Sequence, residues 1–199
     1  MFQVIYILGV MASSISGALK GGKHNLDVFG VAVIGLTTGL GGGVLRDVIM
    51  NQVPFAVKNE WIVYISLGVS ILAFYFSDRV IYYYKVVKTL DAAGLAVFVV
   101  IGADKGIDSG LGILGIAIMA TLTGAVGGLL RDIFVREVPY IFKEDVYASL
   151  CMVSGATYGI LVLYTNIDRI LLKNIAVMTI FTIRVVTIKY NIHLSKKIL

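Results

Sequence analysis

The chain has 199 residues, 58% of them hydrophobic and 15% charged, with a mean hydropathy of +0.92 and a formal net charge of +5. Soluble domains carry about 25% charged residues, so the apolar excess needs lipid around it and leaves no room for a soluble domain. The basic residues lie scattered at the ends of apolar stretches, which marks membrane topology and argues against a nucleic-acid partner.

Seven apolar stretches fill nearly the whole chain: 2–19, 27–50, 60–77, 88–104, 109–135, 145–164 and 169–188. Each approaches the roughly 17–25 residues needed to cross about 30 Å of hydrocarbon. The expected fold is an all-α polytopic membrane protein, a single transmembrane domain over 1–199 with seven spanning helices. The first stretch follows only Met-Phe-Gln and lacks the basic n-region of a cleaved signal peptide, so it counts as a span. Lys20, at its end, either snorkels to the interface or reaches a pore mouth as an electrostatic gate.

The second span contains GLTTGLGGGVLRDVIMNQVP, residues 35–54. Each interior glycine costs a helix about 1 kcal/mol relative to alanine, so Gly41, Gly42 and Gly43 predict a broken helix. Gly35, Gly39 and Gly43, spaced by four, also read as a close-packing face. Arg46 and Asp47 follow at once. Each charge costs roughly 2.5–3.5 kcal/mol at the bilayer centre, so both must face protein or water. The Thr38 hydroxyl either replaces water around a passing cation or bonds back to the carbonyl four residues earlier.

After the third span, Tyr82, Tyr83 and Tyr84 beside Lys85 fit an interfacial aromatic belt. Asp91 reads as a helix cap at the start of span four, Asp104 as a solvated loop charge, and Lys105 as the counterpart of Lys20. Span five holds GAVGGLLRDIFVREVP, residues 124–139, with Gly127, Gly128, Arg131 and Asp132 and with Thr123 just upstream. The lone Cys151, in span six, reads as a small buried hydrophobe. In span seven Arg184 either snorkels or shares a lipid-headgroup site with Lys189. His24 and His193 are not expected to be ligands.

Sliding the sequence by 85 positions aligns 9–58 with 94–143 without a gap, and eighteen of those fifty positions are identical. The chain's two prolines, Pro54 and Pro139, are matched. The expected organisation is repeat one at about 1–85, repeat two at about 86–168 and an extra helix at about 169–188. Three spans per repeat is an odd number, so the second copy must enter the membrane from the opposite face, giving an inverted 3+3 repeat plus one. Neighbouring residues on a helix do not face each other, so the arginines are expected to pair across the halves, Arg46 with Asp132 and Arg131 with Asp47. With the N-terminus outside, ten Lys and Arg residues fall on the cytoplasmic side against Lys58, Lys105, Arg169 and Lys173 outside.

GLGGGV lacks the third glycine of a dinucleotide loop, because Val44 takes its place. No Gly-Lys-Ser/Thr phosphate loop or spaced His/Glu pair occurs either. The chain is therefore not read as an enzyme, and no cofactor or metal is expected.

The doubled GGGVLRD (41–47) and GGLLRD (127–132) elements, their trailing prolines and the 3+3+1 span pattern resemble the trimeric intracellular cation channel (TRIC) family in its prokaryotic form. The resemblance covers essentially the whole chain. It implies a homotrimer in a prokaryotic plasma membrane, contacting lipid and passing monovalent cations such as K⁺ through one pore per subunit, with broken helices two and five lining it. Thr38, Gly41, Gly42, Gly43, Arg46, Asp47, Thr123, Gly127, Gly128, Arg131 and Asp132 are the expected ion pathway, with Lys20 and Lys105 at its mouths. Related bacterial proteins have been proposed to carry small amino acids, glycine among them, which keeps a secondary transporter as the alternative. Val126 stands where the first copy has a third glycine, so the halves need not gate equally.

Overall fold

A computed structural model of the chain describes residues 2–80, 84–143, 146–190 and 192. Tyr82, Tyr83, His193, Lys196 and Lys197 lie outside the described residues, as do the side chains of Arg79, Tyr84 and Lys143. Among the described residues are nine helices: α1 (Phe2–Lys23), α2 (Val28–Ile49), α3 (Phe55–Lys58), α4 (Glu60–Val80), α5 (Tyr84–Asp108), α6 (Ile113–Phe134), α7 (Tyr140–Lys143), α8 (Ala148–Tyr164) and α9 (Arg169–Tyr190). Helices α1, α2, α5, α6 and α9 are long and apolar enough to cross a membrane, while Glu60–Phe76 and Ala148–Tyr164 are shorter apolar helices. The protein is an all-helical polytopic membrane protein.

Local signals set the helix ends. Asp27 caps α2 by accepting from Gly30 N–H at 2.7 Å. At the far end Asn51 takes a left-handed φ of 53°, Gln52 N–H reaches Asp47 O at 2.8 Å, and Asn51 N–H reaches Val48 O at 3.0 Å. This is a Schellman termination. Helix α6 ends the same way, with Arg136 at φ 57° and Glu137 N–H on Asp132 O at 2.9 Å. In both copies a proline then turns the chain into a one-turn helix, α3 or α7.

The glycine runs do not break their helices, contrary to the sequence expectation: α2 runs unbroken through Gly41–Gly43 and α6 through Gly127–Gly128. The reason is their crossing. A Cβ on Gly42 would overlap Thr123 O, and one on Gly127 would overlap Thr38 O. The glycines admit a neighbouring backbone, and the lost propensity is offset by that contact. These contacts also fix the pair as antiparallel, since residue 42 meets 123 while 127 meets 38. Helices α1 and α5 are antiparallel too, with Gly9 on Val97 and Gly94 on Ser13. Gly35 and Gly39 pack on Ser70 and Ser14, but a Cβ on Gly43 would meet only Arg46 Nη2 at 3.9 Å, so Gly43 is not part of the expected packing face.

Helix α9 lies against α5 and α8 and closes the largest apolar core, in which Cys151 is fully buried. Its N-terminal end is tied to α5, where Arg169 Nη2 meets Asp104 at 2.8 Å and Asp108 at 2.7 Å and Lys173 also pairs with Asp104. Asp104 also accepts from Tyr158 Oη at 2.8 Å. It is thus a buried anchor and not the solvated loop charge expected from its neighbours.

Candidate functional site

Two charge clusters sit at opposite ends of the α2–α6 pair. In the first, Arg131 and Asp132 near the end of α6 are fully buried. Arg131 Nε donates to Asp132 Oδ1 at 2.8 Å, and its Nη1 donates to Asp91 Oδ1 at 2.6 Å and Ser16 Oγ at 2.9 Å. Lys20 Nζ adds bonds to Asp132 Oδ1 at 2.6 Å and Glu137 Oε2 at 3.0 Å. His24 Nε2 lies 2.8 Å from Glu137 Oε1. Asp132 Oδ2 accepts from the backbone N–H of Tyr140 at 2.9 Å, and the Tyr140 ring lies under Lys20 Nζ at 4.3 Å and Arg131 at 5.0 Å. Burial pushes the Glu137 carboxyl up, but hydrogen bonds from Lys20 and His24 outweigh it and hold the group below the usual carboxylate range.

The second cluster is its counterpart at the end of α2. Arg46 Nε and Nη2 donate to Asp47 Oδ1 at 2.9 and 2.7 Å, and Asp47 Oδ2 accepts from Phe55 N–H at 2.8 Å. Each aspartate therefore holds its own arginine with one oxygen and the post-proline backbone, eight residues on, with the other. Beside Arg46 lies a cavity of about 250 Å³ lined by Gln3, Tyr6, Arg46, Phe55, Ile101 and Lys105.

The expected cross-pairs, Arg46 with Asp132 and Arg131 with Asp47, do not form. The antiparallel register puts Asp132 level with Val33, roughly 20 Å along the axis from Arg46 at 1.5 Å per residue. The arginine side chain is long enough to fold over the last helical turn onto the adjacent aspartate, which the neighbour rule for short side chains did not anticipate.

Other expectations resolve as follows. The Thr38 and Thr123 hydroxyls bond back to Ile34 O at 2.6 Å and Met119 O at 2.7 Å, the bland alternative. Lys20 is buried and ion-paired and does not snorkel. Lys105 is half-buried and lines the cavity. Asp91 is no cap but the carboxylate facing Arg131. Arg184 is buried, with Nη1 on Val146 O at 2.8 Å and its guanidinium 4.9 Å from the Tyr147 ring, so it neither snorkels nor meets headgroups. Ser16, Tyr6 and Glu137 escaped sequence reasoning, because each differs from its partner in the other repeat, where identity was the signal.

The glycine-transporter family model matches the chain twice, over residues 3–78 and 88–163, again offset by 85. A UPF0126 membrane protein of Deinococcus radiodurans is 37% identical over 146 residues, 72% of this chain and 68% of that protein. The UPF0126 inner membrane protein YadS of Escherichia coli K12 is 36% identical over 155 residues, 77% and 75% of the two chains. Among solved structures, a prokaryotic TRIC channel crystallised in 0.5 M KCl superposes with a TM-score of 0.87 at 31% identity, covering 97% of this chain and 98% of that one. The TRIC orthologue of Rhodobacter sphaeroides gives 0.90 at 26% identity, covering 96% and 98%. These solved relatives are channels, not enzymes.

Proposed function

The chain belongs to the TRIC family in its prokaryotic form and carries the glycine-transporter module twice, and on that premise we propose that it conducts monovalent cations, K⁺ among them, across a membrane. The observation that carries this reading is the matched pair of buried Arg–Asp clusters at the two ends of antiparallel α2 and α6, with the glycine crossing between them. The path runs from the Arg46–Asp47 cavity, past Gly41, Gly42 and Gly43 and the Thr123 and Thr38 carbonyls, to Gly127, Gly128, Arg131 and Asp132. Lys105 and Lys20 stand at its mouths. Each arginine is neutralised by its aspartate, and backbone carbonyls at the crossing supply oxygen partners for a cation.

On this reading the shorter helices α4 and α8 complete seven spans. The two modules, about 1–85 and 86–168, form an inverted repeat with α9 outside it, as the antiparallel pairing of α1 with α5 and α2 with α6 supports. Three copies associate, as in the relatives called trimeric, and the positive-inside rule puts the N-terminus and the Arg46 cavity outside. Purified protein in planar bilayers should give unitary current steps reversing at the K⁺ potential; their absence overturns the channel.

One-sided access favours a second reading, a carrier for a small amino acid such as glycine. The Arg46 end is open as a cavity, whereas the Arg131 end is closed by an ion-pair network, as alternating access requires of one state. Saturable uptake of labelled glycine into proteoliposomes without unitary steps would select it.

A further inference from the structure

The two clusters are built to one plan and filled differently. Shifted by 85, the six residues lining the Arg46 cavity become Lys88, Asp91, Arg131, Tyr140, Ser16 and Lys20, all members of the Arg131 network or packed on its Tyr140 ring. That network matches its cations with three carboxylates, Asp91, Asp132 and Glu137. In the Arg46 cavity the counterpart of Asp91 is Tyr6 and that of Glu137 is Gln52. Gln52 occupies the same Schellman turn as Glu137, with its N–H on Asp47 O at 2.8 Å. Only Asp47 remains, and Arg46 takes it. Among the described residues Lys105 has no carboxylate partner, although it is half-buried beside a second cation.

We propose that the Arg46 cavity is an anion site, taking one oxyanion, carboxylate or phosphate, between Lys105 Nζ and the Arg46 guanidinium. A half-buried cation without a counter-charge is costly, and an oxyanion here restores the balance that Asp91 and Glu137 give the other cluster. Tyr6 Oη and the Gln3 amide supply neutral hydrogen-bond donors in the same wall, and about 250 Å³ suits a small solute or a lipid headgroup tip. In the conduction reading the ligand has a consequence: it cancels the positive mouth that would repel an entering cation. The binding itself does not depend on that reading.

The test uses the full chain in phosphatidylcholine nanodiscs at constant ionic strength, with chloride replaced by acetate or inorganic phosphate and unfolding followed by melting temperature. A free oxyanion ligand should raise it by about 5 °C or more at a hundredfold excess over Kd. The lipid arm adds phosphatidylglycerol to the nanodiscs with no free oxyanion; stabilisation there identifies a headgroup phosphate as the source. Gln52→Glu, which supplies the missing carboxylate at an exposed turn, should abolish the shift while leaving the protein folded. Lys105→Gln should abolish it as well, and Lys20→Gln at the other cluster should not. No shift of the wild type in either arm, or a shift in Gln52→Glu and Lys105→Gln as large as that of the wild type, overturns the site. Because the readout is binding, its failure is distinguishable from failure of conduction.

Discussion

The three glycines of residues 41–43 are chemically alike and physically unlike. Gly42 faces the Thr123 carbonyl with no room for a methyl, whereas a Cβ on Gly43 would make only an ordinary contact, with Arg46 Nη2 at 3.9 Å. Gly42→Ala must push two backbones apart and should cost about 1–3 kcal/mol. Gly43→Ala should be neutral or stabilising by up to about 1 kcal/mol through helix propensity. Thermal unfolding of the two variants separates them, and equal effects would remove the crossing as the reason for the motif. Glu137 offers a pH test at the same scale. Its carboxyl stays ionised in the fold at pH values where the unfolded chain, with a pKa near 4.5, is taking up protons. Its stabilising contribution is therefore complete above about pH 4.5 and fades as pH falls through the lowered native value. Glu137→Gln should lose that component of the acid dependence, visible as a flatter melting-temperature profile than wild type below pH 4.5.

At the scale of elements, the helices were readable in the sequence and their ends less so. The expected apolar stretches match seven of the described helices within a few residues, and five of these are long and apolar enough to cross a membrane. The span expected at 88–104 begins at residue 84 and runs to 108, because Lys105 and Asp108 stay helical while Asp104 and Asp108 reach across to Arg169 and Lys173 on α9. Those partners lie more than 60 residues away in the chain, so local composition carried no trace of them. The glycine break failed for a similar reason. Propensity is a local quantity, and the crossing partner of α2 is α6. The left-handed caps were also hidden, since Arg136 is an unusual residue at φ 57°. Left-handed backbone strains a side chain by about 1–2 kcal/mol, part of which glycine returns as unfolded-state entropy. Arg136→Gly, at an exposed position, should raise stability by about 0.5–1 kcal/mol in chemical or thermal unfolding, with the Glu137 turn unchanged.

At the scale of the whole molecule, the antiparallel pairing of α1 with α5 and of α2 with α6 puts an Arg–Asp pair at each end, and the sequence differences around the two pairs decide what each end becomes. Tyr6 against Asp91 and Gln52 against Glu137 leave one end as a cavity and the other as a closed network. Identity revealed the repeat, yet divergence carries the asymmetry between the two ends. Access can be measured directly, because the chain's one cysteine, Cys151, is fully buried and should leave the wild type unlabelled by a membrane-impermeant thiol reagent. Ile101→Cys places a thiol in the wall of the Arg46 cavity, and Ser16→Cys places one at its fully buried counterpart beside Arg131. With the proposed orientation, Ile101→Cys reacts from the outside in intact cells, and Ser16→Cys reacts from neither side while the Lys20–Asp132–Glu137 network holds. Adding Glu137→Gln to Ser16→Cys loosens that network and should admit reagent from the cytoplasmic side in inverted vesicles. Labelling of Ile101→Cys only in inverted vesicles would reverse the orientation, and equal labelling of both thiols in the otherwise unaltered chain would show that the two ends do not differ in access.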